Sequence, residues 1–170
     1  MRVRKAVLND SAGIARVQVD SWRTTYRGII PDSFLDRLSY KKQRKLWNEG
    51  IRLHHVFVAE NRQGEIVGFV SGGPNRFPDL SDAEAEIFAI YLLQDYQRQG
   101  IGKQLLKPLV EEFRRVNWNS VMVLALEDNP AKMFYERIGA TKIGTTEVEI
   151  EGKKLKEAIY VWKGLDEFRL

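Results

Sequence analysis

Hydrophobic and polar positions change period repeatedly along this chain, and each change marks an element. "RVRKAVL" alternates, the pattern of a half-buried first strand. Asp10 then offers an N-cap for a helix over roughly residues 11–26, where Ile14, Val17, Ser21 and Trp22 recur at helical spacing. Gly28 breaks that helix and Pro31 restarts one, since proline suits a first helical turn. From Ser39, "YKKQRKLWNEGI" reads as another helix. "HHVFVAE" and "EIVGFVSGG" are strands joined by a polar turn at Gly64, a hairpin signal. "AEIFAIYLL" is a further long strand, and after Gly100 a helix runs to about Asn117. "SVMVLAL" reads as a buried strand and "NPAKMFYERIG" as a short helix closed by Gly139. Two alternating segments, about 141–150 and 154–163, finish the chain as an antiparallel hairpin turned at Glu151-Gly152.

No linker, repeat or composition boundary interrupts this order. The expectation is one domain over residues 1–170, of the α/β class, with a mixed sheet and helices on both faces. A chain of 170 residues buries a full core without staples. Zero cysteines exclude disulfides, thiolate metal sites and a cysteine nucleophile, and agree with a reducing, cytoplasmic setting. "MRVRKAVLND" turns polar too early for a signal peptide, and no apolar run approaches a membrane span, so no membrane role is expected. The net charge of +4 suits an anionic ligand, but the charge is scattered. The one basic run, "YKKQRK", reads as the solvated side of its helix, so no nucleic-acid partner is expected.

"YQRQGIG" at 96–102 carries the chemistry. A strand, a glycine turn and a helix N-terminus form a general anion site, because free N–H groups and the positive helix end favour phosphate. The dinucleotide fingerprint needs a third glycine where Leu105 stands. The P-loop needs a glycine at Gln97 and a hydroxyl at Gln104. Both fail. What remains is Q-x-x-G-x-G, at Gln97, Gly100 and Gly102.

That motif, followed by "NPAKMFYERIGA" about thirty residues on, resembles the GCN5-related N-acetyltransferase (GNAT) family over nearly the whole chain. The resemblance implies a mostly antiparallel GNAT-like sheet, acetyl-CoA as cosubstrate and no metal. The amides from Arg98 through Gln99, Gly100, Ile101 and Gly102 to Lys103 would wrap the pyrophosphate, with Arg98 and Lys103 adding charge. Glycines would let the backbone approach without a Cβ in the way. Backbone groups of Ile90 to Leu93, thus of Tyr91, Leu92 and Leu93, would hold the pantetheine arm, and Asn129 would bond it as well. Tyr135 matches the family's general acid. For the base, Glu86 comes first and Glu84 second, on one strand face by period-2 spacing, with water as a third route. His54 and His55 are read as strand-start residues without a catalytic part.

By the same resemblance, "SWRTTYRGIIPDSFLDRL" lines the acceptor pocket, with Trp22, Tyr26 and Phe34 as aromatic surface; Trp22 also reads as core. Glu84 and its acidic neighbours would suit a cationic amine. The implied activity is acetyl transfer from acetyl-CoA to a primary amine of a small molecule or peptide, by direct attack in a ternary complex. Acetylation of a ribosomal-protein N-terminus and non-catalytic acyl-CoA binding are the alternatives. Gln94 and Ala140 depart from the family's usual proline and phenylalanine. A homodimer through the C-terminal strands is a further implication of the resemblance alone.

Overall fold

The computed structural model describes all 170 residues. In chain order its elements are β1 (Arg2–Lys5), α1 (Ser11–Thr25), α2 (Asp32–Asp36), α3 (Tyr40–Leu53), β2 (His55–Glu60), β3 (Ile66–Pro74) and β4 (Ala85–Leu92). There follow α4 (Ile101–Arg115), β5 (Val121–Leu126), α5 (Lys132–Arg137), β6 (Thr141–Ile150) and β7 (Lys153–Trp162). The strands form one seven-stranded sheet in the order β1-β2-β3-β4-β5-β7-β6. Every neighbouring pair is antiparallel except β4 with β5. The mixed, mostly antiparallel α/β architecture is therefore the one expected. No helix is long and apolar enough to cross a membrane.

Alternation along β2, and along β3 with a bulge at Val67 that shifts its parity, divides their side chains between two cores. Val56, Val58, Ile66 and Phe69 pack with Ile14 and Val17 of α1, and with Trp47 of α3. Phe57, Ala59, Val67 and Val70 face the other way, against Leu105, Leu109 and Phe113 of α4. Helix α4 buries Leu105, Leu106, Leu109, Val110 and Phe113 at helical spacing, and each such side chain contributes roughly 1.5–3 kcal/mol of burial. Helix α3 buries nothing completely, so its basic face meets water as expected.

Two capping expectations change. Asp10 precedes α1 but makes no cap bond; its carboxylate takes the Val7 N–H at 2.8 Å and the Arg4 guanidinium at 2.7 and 2.9 Å. Burial would raise this carboxyl, but the Arg4 and Val7 donors hold it below the usual carboxylate range. The helix expected from Asn129 begins later, at Lys132, because Asn129 turns the chain through Pro130 first.

Candidate active site

Strands β4 and β5 run side by side only where Ala85, Glu86 and Ile87 face Val121, Met122 and Val123. Just beyond, Ser71 of β3 faces Ala89 and Gly72 faces Ile87, which leaves Phe88 as an extra residue on β4. Such a bulge bends its strand and increases twist, and here pairing with β5 ends at the bulge. The edges part and enclose a cavity of about 390 Å³. Gln97, Asn129 and Tyr135 line its α4–α5 side; Trp22 of α1, Tyr26 at its C-terminal end and Glu157 of β7 line it opposite.

The glycine loop stands at this opening. Gln97 N–H donates to Gln94 O at 3.1 Å, and Gln104 N–H donates to Gly100 O at 3.2 Å. Between them, the amides of Arg98 to Lys103 donate to no backbone oxygen of the chain. Arg98 has φ +60° and Gly100 φ +78°, left-handed turns that aim successive N–H groups to one side. A Cβ on Gly100 would meet nothing within 4 Å, so glycine serves its backbone angle there. These free amides, the α4 N-terminus and the exposed Arg98 side chain fit a pyrophosphate.

Other loop residues behave differently from expectation. A Cβ on Gly102 would lie 3.1 Å from the Phe134 ring; its bareness lets α4 close on α5 rather than letting phosphate approach. Lys103 Nζ donates to Arg169 O at 2.9 Å, which ties α4 to the C-terminal segment. Gln99 Nε2 donates to Asp95 O at 2.8 Å and Gln97 Nε2 to Leu92 O at 3.1 Å, so both side chains brace the loop. Ile101 is buried beneath it. The Leu93 amide is committed to Val67 O at 2.9 Å and is not free for a ligand, whereas Tyr91 and Leu92 line the cavity.

A cluster of phenols crosses the cavity. The Tyr26 and Tyr91 hydroxyls are 3.2 Å apart, and Trp22 packs edge-on to Tyr26 at 5.0 Å. The Trp22 Nε1 donor is buried without a partner. Burial pushes Tyr26 up, while the Tyr91 hydroxyl and Asn129 pull it back. Tyr135 packs between Phe134, Tyr160 and Trp162, and burial, then Tyr26, raises its phenol well above the ordinary range. It therefore keeps its proton at neutral pH, the state a proton donor needs. Asn129 Oδ1 accepts the Ala131 N–H at 2.9 Å, which makes it the cap of the turn into α5 while it also lines the cavity.

The carboxylates sort themselves less as the sequence suggests. Glu84 lies outside the cavity, exposed, accepting the Asn119 N–H at 2.6 Å; it precedes β4, so strand alternation does not carry it to the face of Glu86. That position does not match the substrate-binding role expected of it. Glu86 does line the cavity, only 1% exposed, but Arg76 occupies both oxygens: Nε and the backbone N–H on Oε2 at 3.0 Å each, Nη2 on Oε1 at 2.6 Å. Arg76 also lies over the Phe88 ring at 4.1 Å. Both Glu86 oxygens are thus already engaged by Arg76, which does not suit the expected role of base.

Sequence reasoning missed Arg76 and Glu157. The signal for Glu157 was present: in "LKEAI" it shares strand parity with Leu155 and Ile159, both buried, so a carboxylate points inward. Burial, then the charge of Glu86, raises its carboxyl above the usual range. No cluster of potential metal ligands is present. His54 and His55 lie outside the cavity, against Phe88 and Phe113.

Comparison with known proteins agrees with this geometry. The family described as "Acetyltransferase (GNAT) family" matches residues 18–140. The chain is 40% identical over 163 residues to "Uncharacterized N-acetyltransferase YuaI" of Bacillus subtilis, covering 96% of this chain and 93% of that one. It is 28% identical over 113 residues to a spermidine N(1)-acetyltransferase of Thermoplasma acidophilum, 62% of this chain and 66% of the relative. Its fold matches the PaiA N-acetyltransferase of Thermoplasma acidophilum, solved with coenzyme A, at TM-score 0.72 and 18% identity, covering 92% and 96% of the two chains. The chain belongs to the acetyltransferase (GNAT) family and is an acetyl-CoA-dependent N-acetyltransferase.

Proposed function

We propose that this enzyme acetylates the primary amine of a small molecule or peptide, by direct attack while donor and acceptor are bound together. The observation that carries the reading is one continuous opening. It runs from Gln97, at the foot of the glycine loop whose free amides follow at 98–103, along the unpaired edge of β4, to the aromatic and acidic side formed by Trp22, Tyr26 and Glu157. Acetyl-CoA supplies an activated acetyl carbonyl and a sulfur leaving group. The amides of Arg98 to Lys103 hold the pyrophosphate, with Arg98 adding charge. The edge of β4 at Tyr91 and Leu92 lies along the pantetheine arm. Tyr135 delivers a proton to the departing sulfur. Trp22 and Tyr26 bound the acceptor's place.

Calorimetric titration of acetyl-CoA into the wild-type protein and into Arg98→Glu tests this. Arg98 makes no bond in the fold, so the variant folds normally. Binding to the wild type that weakens at least about tenfold in the variant, 1.4 kcal/mol, is the expected result. Equal binding by both would remove the loop from the coenzyme site. Mass spectrometry of an amine panel then reads the acceptor.

A further inference from the structure

We infer that Glu157, rather than Glu86, is the carboxylate that binds the acceptor's ammonium group and takes its proton. The acceptor is then a primary alkyl amine with an apolar body. This rests on the acetyltransferase reading above and adds the acceptor's chemical class.

Two acidic side chains line the cavity, and their partners separate them. Glu86 is neutralised by Arg76 through a two-point ion pair. Glu157 has no cation beside it: burial and the negative charge of Glu86 are what act on it. The titratable and charged groups facing this space are Glu86 and Tyr91 on β4, Arg76 ahead of β4, Tyr26 just after α1, and Tyr135 on α5. Arg76 is spent on Glu86, and the three phenols are pushed upward, so none of them supplies a positive charge. A half-buried, unpaired carboxylate of this kind is satisfied by a cation from outside. Beside it, Leu124, Leu126, Val148 and Ile150 line the same cavity, an apolar wall for the body of the amine.

The environment also suits the chemistry. A carboxyl raised toward neutrality is a better proton acceptor than an ordinary one. The bound ammonium gives one proton to Glu157, which passes it to solvent. The neutral nitrogen then attacks the acetyl carbonyl: the N–C bond forms and the C–S bond breaks. The sulfur leaves with the Tyr135 proton, and Tyr135 is restored by the second proton lost from nitrogen. One ammonium ion and one thioester thus give one amide, one thiol and one proton released.

Benzylamine and benzhydrazide separate the roles, because they share a ring but only benzylamine is cationic at neutral pH. For Glu157→Gln, kcat/KM with benzylamine falls about 100-fold, within the span of one acid–base group. The acidic limb of its pH profile disappears, while benzhydrazide turnover changes less than about threefold. Acetyl-CoA affinity stays the same, which also reports that the variant is folded. Glu157→Asp keeps part of the benzylamine rate. Loss of the acidic limb in Glu86→Gln, with Glu157→Gln unaffected, would overturn the assignment in favour of Glu86. Acetyl-CoA binding with neither probe acetylated would overturn the acceptor class and leave the coenzyme site standing. Absent acetyl-CoA binding would instead fail the acetyltransferase reading itself.

Discussion

Replacing Arg76 by leucine separates a structural from a catalytic account of Glu86. The substitution removes two charge-assisted hydrogen bonds, Nε to Oε2 at 3.0 Å and Nη2 to Oε1 at 2.6 Å, and leaves the backbone donor on Oε2. Bonds to a charged partner contribute roughly 1.5–3 kcal/mol each. The Arg76 side chain is 52% exposed, so water already shares its charge and about half of that sum survives. The Glu86 side chain, at 2% exposure, is left as an under-compensated buried charge. The net loss is then about 2–3 kcal/mol, or roughly 5–10 °C in Tm for a chain of this size. Differential scanning calorimetry of Arg76→Leu, Glu86→Gln and the double variant reads it. The double variant recovers most of the stability lost in Arg76→Leu, because the orphaned charge is gone. A melting temperature for Arg76→Leu within about 1 °C of wild type would refute the reasoning and return Glu86 to the list of free bases.

Tyr135→Phe lowers kcat by about 10²–10⁴-fold, the usual worth of a general acid. Its Tm stays within about 2 °C, since no partner within the fold satisfies that hydroxyl and burial alone dominates its ionisation; stopped-flow thiol release and calorimetry check the two halves. Gly139→Ala destabilises by more than about 2 kcal/mol, because φ is +101° and a Cβ there meets the Glu167 carbonyl; urea denaturation measures it. Asp10→Asn lowers stability by about 2 kcal/mol at pH 7 through loss of the two-point Arg4 pair. The sign follows from a depressed carboxyl: the stabilisation is full above about pH 4, the unfolded value, and fades as pH falls through the lower folded value. Melting curves of wild type and Asp10→Asn therefore converge at acid pH, and a gap that persisted at pH 2 would contradict the ion-pair account.

Local signals carried most of the fold. Gly64 marked a hairpin and Gly100 a helix start because each needs a backbone angle that a single residue declares. The alternation of β6 and β7 announced their pairing, which the structure forms from Thr141–Ile150 and Lys153–Trp162. The candidate site was legible where it is made of backbone, at residues 97–103, and less so where it is made of side chains from distant elements. Period 2 placed Glu84 beside Glu86, but the strand starts at Ala85, so the parity argument ran past the element. Gly102 looked like a second phosphate glycine, yet its neighbour is Phe134, more than thirty positions later and invisible to a local motif. The pairing of Arg76 with Glu86 depends on how the loop between β3 and β4 folds back, which no periodicity reports.

The bulge at Phe88 links these non-local features. A parallel neighbour would normally continue to pair, and losing the ladder leaves backbone groups without partners. Bare residues on β3 allow the loss: a Cβ on Gly72 would lie 2.8 Å from Glu86 O, and one on Gly73 would lie 2.9 Å from the Phe88 ring. With those side chains absent, β4 crowds against β3 while it departs from β5. Phe88 is then where the Arg76 guanidinium stacks, and from there Arg76 reaches Glu86. One backbone irregularity thus opens the cleft and presents the surface on which Arg76 lies. The carboxylate nearest the paired end is neutralised from within the chain, and Glu157, on the far side of β5, is left without a cation. Acceptor recognition on this scaffold follows from which acid the chain neutralises for itself and which it leaves for a substrate.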